Sequence, residues 1–237
     1  MQKESKSIAD LLTGNPYPGR GIFVGTSADG KSACFAYFIM GRSENSRNRV
    51  LRREGDSLFT HPYDASKVKD PSLIIYRAVR FTEGGVIVTN GDQTDTIYEA
   101  ALRGESFSAA LMTRTFEPDA PNYTPRISAW LRTAGGTFDY SLSILRRNDK
   151  GECERAFFDY PSEAGQGRLV HTYQTDGDPL PSFSGAPRAV SSVPNDVGDL
   201  AEELWSALDS DNKISLYVCY IDIASEERTE MIINKLK

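Results

Sequence analysis

The chain of 237 residues has little of what metal sites and disulfides are made from. It carries three cysteines, Cys34, Cys153 and Cys219, and two histidines, His61 and His171. An odd, scattered set of cysteines with no CxxC spacing excludes a disulfide framework and a cysteine metal site. So small a stock of ligands argues against zinc as well, and no metal is expected. No apolar run approaches the ~20 residues that span a bilayer. The opening MQKESKSIADLL lacks a signal-peptide core. A cytoplasmic protein without membrane contact is therefore expected, with the sequon Asn122-Tyr123-Thr124 unglycosylated. The phosphate-loop pattern GxxxxGK[ST], the GxSxG elbow and HExxH are all missing. Nothing in the spacing of the two histidines assembles a Ser-His-Asp triad. A net charge of -6 excludes a generally basic, nucleic-acid-binding surface.

What remains is ordinary globular composition, with 39% hydrophobic and 25% charged residues, enough to bury a core. Residues 1–237 show no domain boundary and no repeat. They are expected to form a single domain, with an N-terminal arm over 1–18 and a long Gly/Pro/Ser-rich loop over 177–194. Residues 7–13 suit a short helix. The pattern then predicts strands over about 20–26 and 32–40 around a turn at Ala28-Asp29-Gly30. The second strand is apolar on both faces, which suits a strand covered on both sides. Strands are expected over 73–81 and 86–89, then helices through Ile97–Leu102 and over 106–116. Strands over about 126–131, 137–146, 153–160 and 168–174 follow. A helix over 196–208 and a last strand over 214–223 complete an α+β chain, plausible as two stacked sheets flanked by helices.

Arginine outnumbers lysine 18 to 9, and five arginines fall between Arg42 and Arg53 with Glu44 as the one acid. Arginine grips phosphate and carboxylate in a planar fork, so this run suits a phosphate cradle; it also suits a solvated strand edge or loop. Four polar clusters lie at ends of predicted strands: Gly19-Arg20, Arg42-Ser43 through Asn48-Arg49, Asn90 through Thr96, and Thr124-Pro125-Arg126. Polar groups held at strand ends are where sites tend to be built. Within the third cluster, Asp95 or Thr96 suits the N-cap of the following helix. Cys34, inside an apolar strand, reads as a small core hydrophobe.

Five segments in order, NPYPGRGIFVG, FAYFIMGRSENSRNR, IIYRAVRF, VTNGDQTDTI and FEPDAPNYTPRI, resemble the motif set of the inosine-monophosphate (IMP) cyclohydrolase family first defined in archaea. The later GRLVHTYQTDGDPLPSF is similar to longer, bacterial-type members. The resemblance implies a four-layer αββα sandwich like that of the N-terminal-nucleophile hydrolases, but without their nucleophile. Gly19-Arg20-Gly21 stands where those enzymes place Cys, Ser or Thr. It implies ring closure of 5-formamidoimidazole-4-carboxamide ribonucleotide to IMP with loss of water, needing neither metal nor cofactor. The implied partner is a purine ribonucleotide, with no nucleic acid or membrane involved; a homo-oligomer is left open.

By the same resemblance, Tyr76 and Glu117 are the acid/base pair. Arg20, Arg42, Ser43, Asn48, Arg49, Asn90 and Arg126 hold the substrate, with the arginines on phosphate and base carboxamide and Asn90 donating to the formyl oxygen. Taken on their own, Tyr76 reads as a core aromatic and Glu117 as a solvated side chain. Two other readings stand beside this one. An amide hydrolase of the same fold class would need a freed N-terminal nucleophile. A non-catalytic nucleotide-binding protein would keep the arginines and lose turnover.

Overall fold

The computed structural model describes residues 6–68 and 75–236. Helix α1 (Ile8–Leu12) comes first, capped by Ser7, whose hydroxyl accepts from the Asp10 amide. Strands β1 (Arg20–Thr26) and β2 (Ser32–Met40) then form a hairpin around the expected turn. A four-residue helix α2 (Glu44–Arg47) leads to β3 (Val50–Glu54), β4 (Ser57–His61), β5 (Arg77–Thr82) and β6 (Gly85–Thr89). Helices α3 (Gln93–Leu102) and α4 (Phe107–Met112) follow. The second half runs β7 (Arg126–Ala134), β8 (Thr137–Arg147), β9 (Cys153–Pro161), β10 (Gln166–His171), β11 (Arg188–Ser191), α5 (Val197–Ala207), β12 (Lys213–Asp222) and β13 (Arg228–Asn234).

Among the described residues the strands form two antiparallel sheets. One has six strands in the order β11-β10-β1-β2-β12-β13, the other seven in the order β3-β4-β5-β6-β7-β8-β9. The period-2 alternation of a strand explains how they stack. On β2, Phe35, Tyr37 and Ile39 enter a core shared with Val79, Val86, Val88, Ile127 and Leu142 of the larger sheet. Cys34, Ala36, Phe38 and Met40 point the other way, into a core with Ile8 and Leu12 of α1 and Leu200 and Leu204 of α5. Ile87 leaves the shared core for a third cluster with Ile97 of α3 and Phe107 and Leu111 of α4. The doubly apolar run on β2 is thus a strand with packing on both faces, and Cys34 is a buried part of it. Among the described residues no helix is long and apolar enough to cross a membrane.

Several boundaries differ from the sequence reading. The strand expected over 73–81 begins at Arg77; Leu73 and Ile74 lie outside the described residues. The helix expected over 106–116 stops at Met112, with Ser106 as its cap. The run after Asn48, read as a phosphate cradle or as a strand edge or loop, forms two strands, because Leu51 and Leu58 alternate inward beneath the charged residues. The loop over 177–194 contains β11, and Ser182 bridges to Tyr173. Strand β12 is followed by β13, an edge strand whose half-exposed residues give a weak hydrophobic signal.

Candidate active site

Strand ends from both sheets bring five of the expected residues together. Arg20 begins β1, Arg49 precedes β3, Tyr76 precedes β5, Arg126 begins β7, and Glu117 sits in the loop between α4 and β7. Tyr76 is fixed through its backbone, whose amide donates to Thr60 Oγ1 at 3.1 Å and whose carbonyl accepts from the Thr60 amide at 3.0 Å. Its hydroxyl lies 2.6 Å from that of Tyr37, a fully buried residue of β2. Arg49 is 4% exposed and Glu117 5% exposed.

The charges are arranged against one another. Burial raises the Glu117 carboxyl above the ordinary carboxylate range, while Arg20, Arg126 and Arg49 pull the other way. Burial, and then the neighbouring Arg20 cation, lower Arg49. Burial also opposes the charge on Arg20, but the surrounding Tyr76, Glu117, Tyr173 and Tyr17 outweigh it and hold the guanidinium protonated. Three guanidinium nitrogens here, Arg20 Nε and Arg49 Nε and Nη1, are buried without a hydrogen-bond partner. A buried donor left unpaired costs about 1–3 kcal/mol, so this is a cluster suited to receiving acceptor atoms from a ligand.

A second set of residues holds these in place. Arg126 Nη1 donates to Gln93 Oε1 at 2.7 Å and reaches Asp92 Oδ1 at 2.7 Å. This approach requires Gly91. A Cβ at that position would stand 2.5 Å from Arg126 Nη1, 2.7 Å from Gln93 Oε1 and 3.4 Å from Glu117 Oε1. The Glu117 amide donates to the Thr124 carbonyl at 2.9 Å, closing the loop that carries the carboxylate. Tyr173, just beyond β10, reaches Thr124 through its hydroxyl and stacks on Tyr17 with ring centroids 5.8 Å apart. Gly19, at φ +81°, makes room for this segment, since a Cβ there would stand 2.2 Å from Thr172 Oγ1 and 2.6 Å from the Tyr173 ring. Sequence reasoning missed Tyr37, Gln93 and Tyr173. Gln93 lay inside a motif already singled out, whereas Tyr37 in an apolar strand and Tyr173 in the tail carried no signal of their own.

Four expected substrate contacts are engaged elsewhere. Ser43 is the N-cap of α2 and trades hydrogen bonds with Ser46 at an exposed position. Asn48 clasps the Asp64 backbone, donating to its carbonyl at 2.8 Å and accepting from its amide at 2.7 Å. Asn90 is fully buried; it donates to the Pro125 carbonyl at 2.9 Å and accepts from the Ile127 amide at 2.8 Å. It fastens β6 to β7. Arg42 pairs with Asp176 and lies 5.0 Å over the Tyr17 ring, outside the group around Glu117.

Two of the five arginines of the run, Arg52 and Arg53, lie on the edge strand β3. Arg47 binds the Gly41 carbonyl, Arg53 pairs with Glu230, Arg52 is exposed, and Arg49 turns inward. The expected caps on α3 also fail: Asp92 occupies the N-cap without a side-chain bond, and Asp95 pairs with Arg77 and Arg80. Those last two arginines line a cavity of about 840 Å³ beside Tyr98 and Trp130, which none of Arg20, Arg49, Tyr76 and Glu117 touches. Among the described residues no group of three or more His, Cys, Asp or Glu is placed to hold a metal ion.

The chain is a mixed α/β protein of two antiparallel sheets, with acid, phenol and guanidinium groups clustered at their strand ends, and sequence comparison supplies the family. The model of the IMP cyclohydrolase-like protein family matches residues 17–227, and the chain belongs to this family. The IMP cyclohydrolase of Methanothrix thermoacetophila is 33% identical over 174 residues, covering 72% of this chain and 80% of that protein. That of Methanopyrus kandleri is 34% identical over 125 residues, covering 52% of this chain and 61% of the other. That of Methanococcus aeolicus is 30% identical over 120 residues, covering 48% and 58%.

Proposed function

We propose that the chain is an IMP cyclohydrolase, closing the pyrimidine ring of 5-formamidoimidazole-4-carboxamide ribonucleotide to give IMP and water, with Tyr76 and Glu117 as its acid and base. The observation that carries the site assignment is the meeting of Tyr76, Glu117, Arg20 and Arg49 in one buried group with unpartnered guanidinium nitrogens. Family membership and the relatives' names support the activity.

The substrate holds nucleophile and electrophile on adjacent ring positions, so much of the entropic cost of meeting is already met. The carboxamide nitrogen attacks the formyl carbon and the C–N bond forms. Negative charge grows on the formyl oxygen, and the Tyr76 hydroxyl donates to it. The nitrogen loses one proton to Glu117. Burial raises the affinity of this carboxylate for a proton, which suits it to take one, while the nearby arginines oppose that rise. In the second half the carbinolamine hydroxyl leaves as water with the proton returned by Glu117. The formamido nitrogen gives its own hydrogen to the Tyr76 oxygen, replacing the one passed to the formyl oxygen, and a C=N bond forms. Arg20, Arg49 and Arg126 serve the phosphate and carboxamide oxygens; a hydrogen bond to a charged partner contributes roughly 1.5–3 kcal/mol.

The reading extends to the fold. Helices α1 and α5 on one outer face and α3 and α4 on the other support an αββα sandwich of the N-terminal-nucleophile-hydrolase kind, and a single domain over 1–237. The buried Ile8 and Leu12 tie the segment before Gly19 into the core, which favours this reading over a hydrolase with a freed residue near position 19. The reading sets the enzyme in the cytoplasm with a purine ribonucleotide as its ligand. The test is conversion of the formamido ribonucleotide by purified protein without added metal, followed by ultraviolet absorbance. Tyr76→Phe and Glu117→Gln are expected to lower kcat far more than they weaken IMP binding. A wild type that neither turns over the substrate nor binds IMP would overturn the reading.

A further inference from the structure

We infer that Tyr37 is a positioning residue that fixes the direction of the Tyr76 hydroxyl proton, turning it outward toward the reacting oxygen. The inference rests on the cyclohydrolase reading of Tyr76. Two hydroxyls 2.6 Å apart share one hydrogen, and either could supply it. Burial decides which does. Tyr37 has no exposure, and among the described residues its hydroxyl has no other hydrogen-bond partner. Were Tyr76 the donor, the Tyr37 hydrogen would be stranded in the core, at a cost of about 1–3 kcal/mol. Were Tyr37 the donor, both hydrogens would be placed, because Tyr76 still has its own to offer.

Arg20 and Arg49 act on both phenols, so burial rather than charge sets which hydroxyl donates. Burial also pushes the Tyr37 phenol well above its usual range, so it remains a protonated donor wherever the protein is folded. Tyr76 therefore accepts from behind and donates in front. Its hydrogen cannot turn back toward Tyr37, and the accepted bond polarises the phenol as it gives its proton to the formyl oxygen. The backbone bonds of Tyr76 to Thr60 fix the main chain on β4, and Tyr37 fixes the hydroxyl at the far end of the ring.

The test is a double-mutant cycle of wild type, Tyr37→Phe, Tyr76→Phe and the double variant, each assayed for kcat and KM, for IMP binding and for thermal melting. Tyr37→Phe retains the ring that packs between the sheets. It is expected to lower kcat about tenfold, the worth of one neutral hydrogen bond, with KM and IMP affinity within about twofold of wild type. The double variant is expected to turn over no more slowly than Tyr76→Phe alone, because Tyr37 acts through Tyr76. A merely structural Tyr37 would make the two losses multiply, and that result overturns the inference, as does an unchanged kcat in Tyr37→Phe. If Tyr37→Phe melts below the assay temperature, 3-fluorotyrosine at position 37 carries the test. That stronger donor is expected to raise kcat about twofold or more, and an equal or lower rate overturns the inference. An inert wild type overturns the activity itself and this inference with it, whereas an active wild type beside an unaffected Tyr37→Phe overturns the role of Tyr37 alone.

Discussion

The hydroxyls of Thr124 and Tyr173 lie 2.5 Å apart, and the contact fastens the loop bearing Glu117 to the segment after β10. Thr124 holds that loop from two sides, accepting the Glu117 amide on its carbonyl and bonding Asp119 through its hydroxyl. Burial pushes the Tyr173 phenol up to about 12, so it remains a neutral hydrogen-bonding group. Removing this hydroxyl leaves Thr124 bound to Asp119 and frees the far side. Tyr173→Phe is expected to reduce stability by about 1 kcal/mol in a denaturant titration. It is also expected to lower kcat severalfold as Glu117 loses its fixed position. A variant with wild-type kcat and lowered stability would show that the contact serves the fold alone.

Gly91 is a point of close approach in the site. Its missing side chain is what lets Arg126, Gln93 and Glu117 converge. Gly91→Ala is expected to displace the Arg126 guanidinium and to lower kcat/KM by about tenfold or more. Its melting temperature is expected to change little, since the far end of a flexible side chain can move aside. Steady-state kinetics beside a thermal melt separate the two effects.

Arg49 should show function in conflict with stability. It is a buried cation whose neighbour Arg20 is also a cation, and two of its nitrogens have no partner. Replacing a poorly compensated buried charge by an apolar chain of similar length is often neutral or stabilising. Arg49→Met is expected to melt at or above the wild-type temperature and to bind IMP about 10–100-fold more weakly. Calorimetry reads both quantities. A variant that unfolds while binding normally would contradict this role.

The strand pattern was legible because alternation of apolar residues is visible wherever a strand is buried. Phe35, Tyr37 and Ile39 against Cys34, Ala36 and Phe38 announce a strand between two layers, and the structure places them in two separate cores. Strands β3, β4 and β13 lie at or near sheet edges, where alternation is diluted by charge. In Arg52-Arg53-Glu54 the residues that mark β3 as a strand edge also masked it. The candidate site was legible as a set of strand-end clusters. The protein partners of Ser43, Asn48 and Asn90 were not legible, because they are backbone atoms brought close only by the fold. Tyr37 and Tyr173 needed the fold itself: one lies mid-strand in the core, the other lies in a tail brought back by the pairing of β10 with β1.

His171 gives the protein a stability that depends on pH. It is buried on the Phe183 ring, with Nδ1 2.7 Å from the Tyr173 carbonyl, and burial lowers its pKa from 6.5 to about 4. Between these values the unfolded chain holds a proton that the folded chain does not, so stability rises with pH across that window. The contribution is complete above about 6.5 and is lost progressively as pH falls toward about 4. A shift of this size is worth roughly 3 kcal/mol. Chemical denaturation of wild type and His171→Gln at a series of pH values is expected to show a shallower slope in the variant across this window. Parallel curves would rule out His171 as the source.

The location of the reaction is most directly tested by a crystal structure with IMP bound. The expected result places the purine C2 carbon, where the ring closes, between the Tyr76 hydroxyl and the Glu117 carboxylate, with ligand oxygens on Arg20 and Arg49. IMP seated instead in the cavity lined by Arg77, Arg80 and Tyr98, with Tyr76 and Glu117 untouched, would contradict the assignment.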